Sequence, residues 1–232
     1  MSSNPTAGRR TTLTLAGLIA IASATLVLAV SGTHDGHADD GHSHAVAVSS
    51  KTTAKQAKFQ DAMRKLWEDH VTWTRLAIVS FAHDLPDLPA TQARLLKNQE
   101  HIGNAVKPYY GKAAGNQLTA LLKEHIVGAV ALLTAAKAGD QALINQRSDE
   151  WYVNGNEIAD FLHEANPRNW SRKAMRAAMK AHLDDTLDEA VNRLGGKYEA
   201  DVRDYDRIHD HILMMADTLS KGIIKQFPRK FR

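Results

Sequence analysis

Histidine is the side chain through which this chain could do most chemistry. There are 12 histidines and no cysteine, so thiol nucleophiles, disulfides and thiolate metal sites are excluded, and nitrogen and oxygen are the expected metal ligands. Three histidines recur at spacings of 55 and 57 residues, His70, His125 and His182, each followed by an aliphatic residue, Val71, Ile126 and Leu183. Residues three and four apart share one face of a helix. That rule aligns His70 with Leu66, Trp73 and Ala77, His125 with Leu118, Leu121, Ala129 and Leu132, and His182 with Met175, Met179 and Thr186. Three imidazoles on apolar faces of three helices suit one divalent transition ion, which copper, zinc and iron all satisfy. The same residues also fit three separate core histidines, each hydrogen-bonded to a neighbouring helix.

A second arrangement lies in "DYDRIHDHILMMAD", where Asp206 and His209 are three apart. A carboxylate three residues before a histidine is used twice in carboxylate-bridged di-iron bundles. Asp160 and His163 would form the second pair, with Glu68 and Glu124 completing the set. Those bundles use glutamate at this position, and two solvated charged faces account for the same residues. Asn98, Asn154 and Asp210 recur at a spacing of 56. They suit either hydrogen bonds to the histidine rings, fixing their tautomers, or bonds to one another that set helix register.

A third set is "THDGHADDGHSHA", residues 33–45, in which His34, His37, His42 and His44 stand among Asp35, Asp39 and Asp40. Such a tract binds metal weakly and exchangeably, because a disordered chain must be ordered to do it. It equally serves as a soluble spacer.

These groups need elements to position them. Residues 1–32 have a polar start, Arg9 and Arg10, then an apolar run from Leu13 to Val30. That is the layout of an export signal, or of an N-terminal membrane anchor if it is not cleaved, and either places the body outside the cytoplasm. The "RRTTL" stretch has the paired arginines of a twin-arginine signal, which ordinary signals also carry. Residues 33–57 read as a His/Asp-rich flexible tract and linker, and residues 58–232 as one helical domain.

From about residue 57 apolar residues return every three or four positions. Proline, glycine and capping residues divide them into helices at about 57–83, 91–107, 114–137, 141–165, 171–194 and 197–225. Thr91, Asp140 and Ser171 are the expected caps. The fold expected is all-α, an antiparallel bundle of six helices in three hairpins, with an internal repeat of about 56 residues marked by Leu96, Tyr152 and Ile208 and by Ile102, Ile158 and Met214. The tail "SKGIIKQFPRKFR" either packs its aromatics on the bundle or lies on an anionic membrane surface.

The segments "LWEDHVTWTR", "RLLKNQEHIGNAVKPYYG", "LTALLKEHI", "WYVNGNEIADFL" and "HILMMADTLSKGIIKQFPRKF" together resemble those of a group of small bacterial helical proteins with no established activity. The resemblance covers about residues 60–231. It implies that His70, Arg75, Asn98, His125, Asn154 and His182 are shared-motif positions, and it carries no catalytic assignment.

Other functions are excluded or unsupported. With 29 Lys and Arg against 26 Asp and Glu, the net charge of +3 gives no basic footprint for nucleic acid. There is no phosphate-binding loop, dinucleotide fingerprint, G-x-S-x-G elbow or H-E-x-x-H motif, so neither a nucleotide partner nor a catalytic residue is expected. The sequence thus points to a metal-binding envelope protein, with Arg75, Asn98, Asn154 and Asp210 supporting the ligands. Its rival is a non-catalytic helical interaction module without metal, whose protein partner the sequence does not identify.

Overall fold

The computed structural model describes residues 52–232, so the N-terminal segment and the tract with His34, His37, His42 and His44 lie outside the described residues. Five α-helices follow in order: α1 Ala54–Ala82, α2 Leu88–Ala138, α3 Gln141–Ala165, α4 Arg172–Leu194 and α5 Tyr198–Gln226, with a 3₁₀ turn at Pro228–Phe231. The described residues include no strand.

Helix ends follow local chemistry. Thr53 caps α1 in a capping box with Gln56, Asp140 accepts from the Leu143 N–H, and Ser171 accepts from the Ala174 N–H. Thr91 is not a cap: α2 already begins at Leu88, with Pro89 in its first turn, where the missing N–H is not needed. The Thr91 hydroxyl instead donates to the Leu88 carbonyl.

Where two helices were expected, at 91–107 and 114–137, there is one element of 51 residues. It does not stop at Pro108, although a proline there removes one backbone hydrogen bond and crowds the carbonyl of Asn104. The break comes at Gly111, with φ 87° and ψ 168°, a conformation that favours glycine. In a straight helix residues 100 and 123 would stand about 35 Å apart, yet Lys123 Nζ lies 2.7 Å from Glu100 Oε1. The two arms therefore lie side by side. Their approach is close enough that a Cβ on Gly103 would fall 1.9 Å from Thr119 Oγ1.

Neighbouring helices close into a ring: α1 on α2, α2 on α3, α3 on α4, α4 on α5, and α5 back on α1, with α1 also touching α4. Ile102, Leu122, Ile158, Leu183 and Ile212 fill the interior. Element α2 is also long and apolar enough to cross a membrane by length and composition. Gly111 divides it, however, and its Leu118, Leu122, Ile126, Leu132 and Leu133 are buried, so the bundle interior accounts for that apolarity. The C-terminal aromatics pack inward, Phe231 on Phe59 and Tyr109 and Phe227 on Tyr109 and Tyr110.

Candidate metal centre

His70 from α1, His125 from the second arm of α2 and His182 from α4 converge in the core, each at most 4% exposed. The His182 ring centroid lies 5.6 Å from that of His70 and 6.2 Å from that of His125. Trp67 meets His70 edge-on, and Trp151 stacks on His125 at 5.1 Å while its indole N–H donates to the His125 carbonyl. Tryptophans thus wall two of the three rings.

The ring nitrogens differ in what they meet. Asn154 donates from Nδ2 to the Leu121 carbonyl, which turns its Oδ1 toward His125 Nδ1 at 3.2 Å. The His125 proton therefore sits on Nδ1, and Nε2 is left with its lone pair. Gln99 Nε2 lies 3.2 Å from His70 Nδ1 and also donates to the Leu95 carbonyl, while Gln99 Oε1 has no partner. His182 Nδ1 has no partner either. With the indole N–H of Trp67, three buried polar atoms around the rings are thus unsatisfied, a cost of about 1–3 kcal/mol each.

Burial sets the charge of the rings. Loss of water, reinforced by His125, lowers the His70 pKa to about 3; loss of water lowers that of His125 to about 4, against the favourable bond to Asn154. His182 is also held well below the usual histidine value, first by burial and then by His70, His125 and His211. All three imidazoles are neutral at pH 7, the form that ligates metals.

A common support lies behind them. Asn98 Nδ2 donates to the Leu66 carbonyl at 3.0 Å, Asn154 Nδ2 to that of Leu121 at 3.2 Å, and His211 Nε2 to that of Ala178 at 2.9 Å. Each carbonyl belongs to the residue four before a central histidine. Of the three polar residues expected beside the rings, only Asn154 touches one. Asn98 holds backbone while its neighbour Gln99 meets His70, and Asp210 is exposed while its neighbour His211 takes the third support. Gln99 and His211 were missed because each stands one residue from the matched position.

Arg75 does not support the histidines. Its guanidinium donates to Glu189 at 2.6 Å and to Asp201 at 2.8 and 3.1 Å, and Arg193 reaches Asp201 at 3.2 Å. Glu189 and Asp201 are at most 1% exposed, so Arg75 ties α1 to α4 and α5. The carboxylate–histidine pairs are not brought together either. Asp160 is held by Arg172 and Arg176, and His163 Nδ1 lies 2.8 Å from the Trp170 carbonyl oxygen. His209 pairs with the half-exposed Glu68 at 3.0 Å, and Asp206 and Glu124 are exposed. Salt bridges and solvent account for these residues, and no four-carboxylate set assembles.

Among the described residues, no three His, Asp or Glu side chains are already drawn together as a metal-holding group. Three imidazoles bound through nitrogen at 2.0–2.1 Å around a tetrahedral ion have ring centroids about 5.2 Å apart. The observed His70–His182 and His125–His182 separations of 5.6 and 6.2 Å exceed that by about 0.4 and 1.0 Å, so the rings stand wider than a bound ion would draw them. No protein-family model, curated protein or solved structure matches the chain.

Proposed function

We propose that this is an exported or membrane-anchored metal-binding protein whose helical body holds one divalent transition ion, copper, zinc or iron, between His70, His125 and His182. The observation that carries the reading is the convergence of three neutral, buried imidazoles from three helices, among which His182 Nδ1 has no hydrogen-bond partner. An ion there would satisfy that atom, and Asn154 already orients His125 as a ligand-supporting amide does. As oriented, Gln99 Nε2 donates to His70 Nδ1, so ligation through His70 Nε2 requires the Gln99 amide to turn over and give up its bonds to the Leu95 carbonyl and Asn98 Oδ1. His34, His37, His42 and His44 would collect exchangeable metal outside the membrane. We further infer that the bundle consists of three related hairpins, a reading supported by the carbonyl contacts of Asn98, Asn154 and His211. The site has no nucleophile or acid–base pair assembled for catalysis, so binding is the activity proposed.

The test is elemental analysis and titration with Zn(II), Cu(II) and Fe(II) of the full chain, of His125→Ala, and of a variant with His34, His37, His42 and His44 all changed to Asn. One tightly held equivalent, lost in His125→Ala and kept in the tract variant, is expected. Loss in the tract variant alone would make the bundle a scaffold. No metal in any of them would leave the three histidines as a polar core and favour the interaction-module reading.

A further inference from the structure

A second donor set lies away from the three imidazoles. Between α4 and α5 is an open cavity of about 180 Å³ lined by Met175, Met214, Met215 and His211, with Ala174 and Ala178 on its α4 wall. The whole chain has 6 methionines, so half of them meet at this one opening. His211, Met214 and Met215 share a face of α5 because they are three and four apart. The two alanines of α4 leave the space that a larger side chain would fill.

The two sides of the cavity differ in exposure. Met175 and Met215 are each 6% exposed, as wall residues should be, whereas Met214 is 62% exposed at the mouth. Core packing does not account for a thioether held in water. His211 donates its Nε2 proton to the Ala178 carbonyl, so in the neutral ring the lone pair is on Nδ1. The donors gathered here are three thioethers, the His211 imidazole and the Thr218 hydroxyl, which donates to the Met214 carbonyl. No carboxylate lines the cavity. Thioether sulfur selects soft ions, and a neutral ligand set in an apolar wall suits a single positive charge better than two.

We propose that Met175, Met214, Met215 and His211 form a binding site for monovalent copper, reached from solvent through Met214. It uses none of the three central imidazoles and shares with that centre only His211, whose Nε2 bonds the Ala178 carbonyl behind His182. Although the absence of cysteine points to nitrogen and oxygen ligands, the methionines supply sulfur in its place.

The test is an anaerobic titration of full-chain protein, with the tract histidines changed to Asn, by Cu(I) in competition with bicinchoninate, followed by X-ray absorption at the copper edge. One Cu(I) equivalent should leave the chelator, and sulfur should scatter at the copper. With no cysteine in the chain, that sulfur can only be methionine. Met214→Leu changes an exposed side chain and should weaken Cu(I) binding at least tenfold with the helical circular dichroism unchanged. The triple variant Met175→Leu, Met214→Leu, Met215→Leu should lose the sulfur signal. His70→Ala should leave it intact, which separates this site from the imidazole centre. Copper bound by nitrogen and oxygen alone, an unaltered affinity in Met214→Leu, or no Cu(I) drawn from the chelator would each overturn the proposal.

Discussion

Two polar clusters are buried in this bundle, and they handle burial in opposite ways. Around Arg75 every carboxylate meets a cation: Glu189 and Asp201 share the guanidinium, Arg193 adds a second cation whose Nε alone has no partner, and Asn192 and Arg207 hold Asp204. Around His182 the groups are neutral, and three polar atoms, Trp67 Nε1, Gln99 Oε1 and His182 Nδ1, have no partner. A cluster whose carboxylates all meet cations holds its charges in place, whereas one of neutral rings with an unpartnered ring nitrogen leaves a polar atom unsatisfied in the core. The difference separates a group that ties helices together from a group suited to bind.

The strongest way to break that contrast is acid. Unfolded histidine takes up a proton near pH 6.5, while His70 and His125 resist it until about 3 and about 4. Between those limits the unfolded chain binds more protons than the native one, so stability falls as pH falls, by up to about 1.4 kcal/mol per pH unit for each ring. Glu189 acts in the opposite sense. Burial, working against Arg75, raises it to about 7, so its contribution diminishes as pH rises from 4.5. Three rings against one carboxyl predict a net loss of several kcal/mol between pH 6.5 and 4, measured by urea unfolding across that range. His182→Leu should lower the net slope by about half, since two uncompensated rings become one. A slope unchanged in that variant would mean that the ring is charged in the native state.

A smaller but still severe effect is expected on the charged side. Arg75→Met removes the cation from two carboxylates that stay buried, which costs about 3–5 kcal/mol. Denaturant midpoints measure it, and adding Glu189→Gln and Asp201→Asn to the same chain should recover a large part of the loss. Metal stoichiometry should be unchanged wherever the variant still folds. Were Arg75→Met to abolish metal binding in a folded protein, the two clusters would have to be treated as one.

The two clusters were also unequally legible. The histidines could be read because each lies on an apolar helical face and the three recur at nearly equal spacing, a pattern internal to each helix. Helix ends at Asp140, Ser171 and Gly195 were legible for the same local reason. The partners of Arg75 were not, since Glu189 and Asp201 lie 114 and 126 residues away and look, in sequence, like any solvated helix face. Gln99 was passed over for Asn98 because one residue turns a helix by about 100°, and only the packing of α2 on α1 decides which of the two amides meets the ring. Gly111 hid behind Pro108: proline draws attention as a helix breaker, yet the chain turned where φ had to be positive.

The smallest expected effect decides where the metal cannot be. Glu68 and His209 are hydrogen-bonded between α1 and α5, with Glu68 half-exposed, and Asp206 is exposed one turn before His209. Exposed pairs of this kind contribute about 0–1 kcal/mol, so Glu68→Gln and Asp206→Asn should each shift stability by less than about 1 kcal/mol. They should also leave the bound metal equivalent in place, because neither residue reaches the three central rings. The comparison is informative because these two side chains are the ones that a carboxylate-based centre would need. Retention of metal in the double variant, with loss in His125→Ala, would put the ion among neutral imidazoles in the core. Loss of metal in the double variant would move it to the α1–α5 face, and the unpartnered Nδ1 of His182 would then be a packing defect.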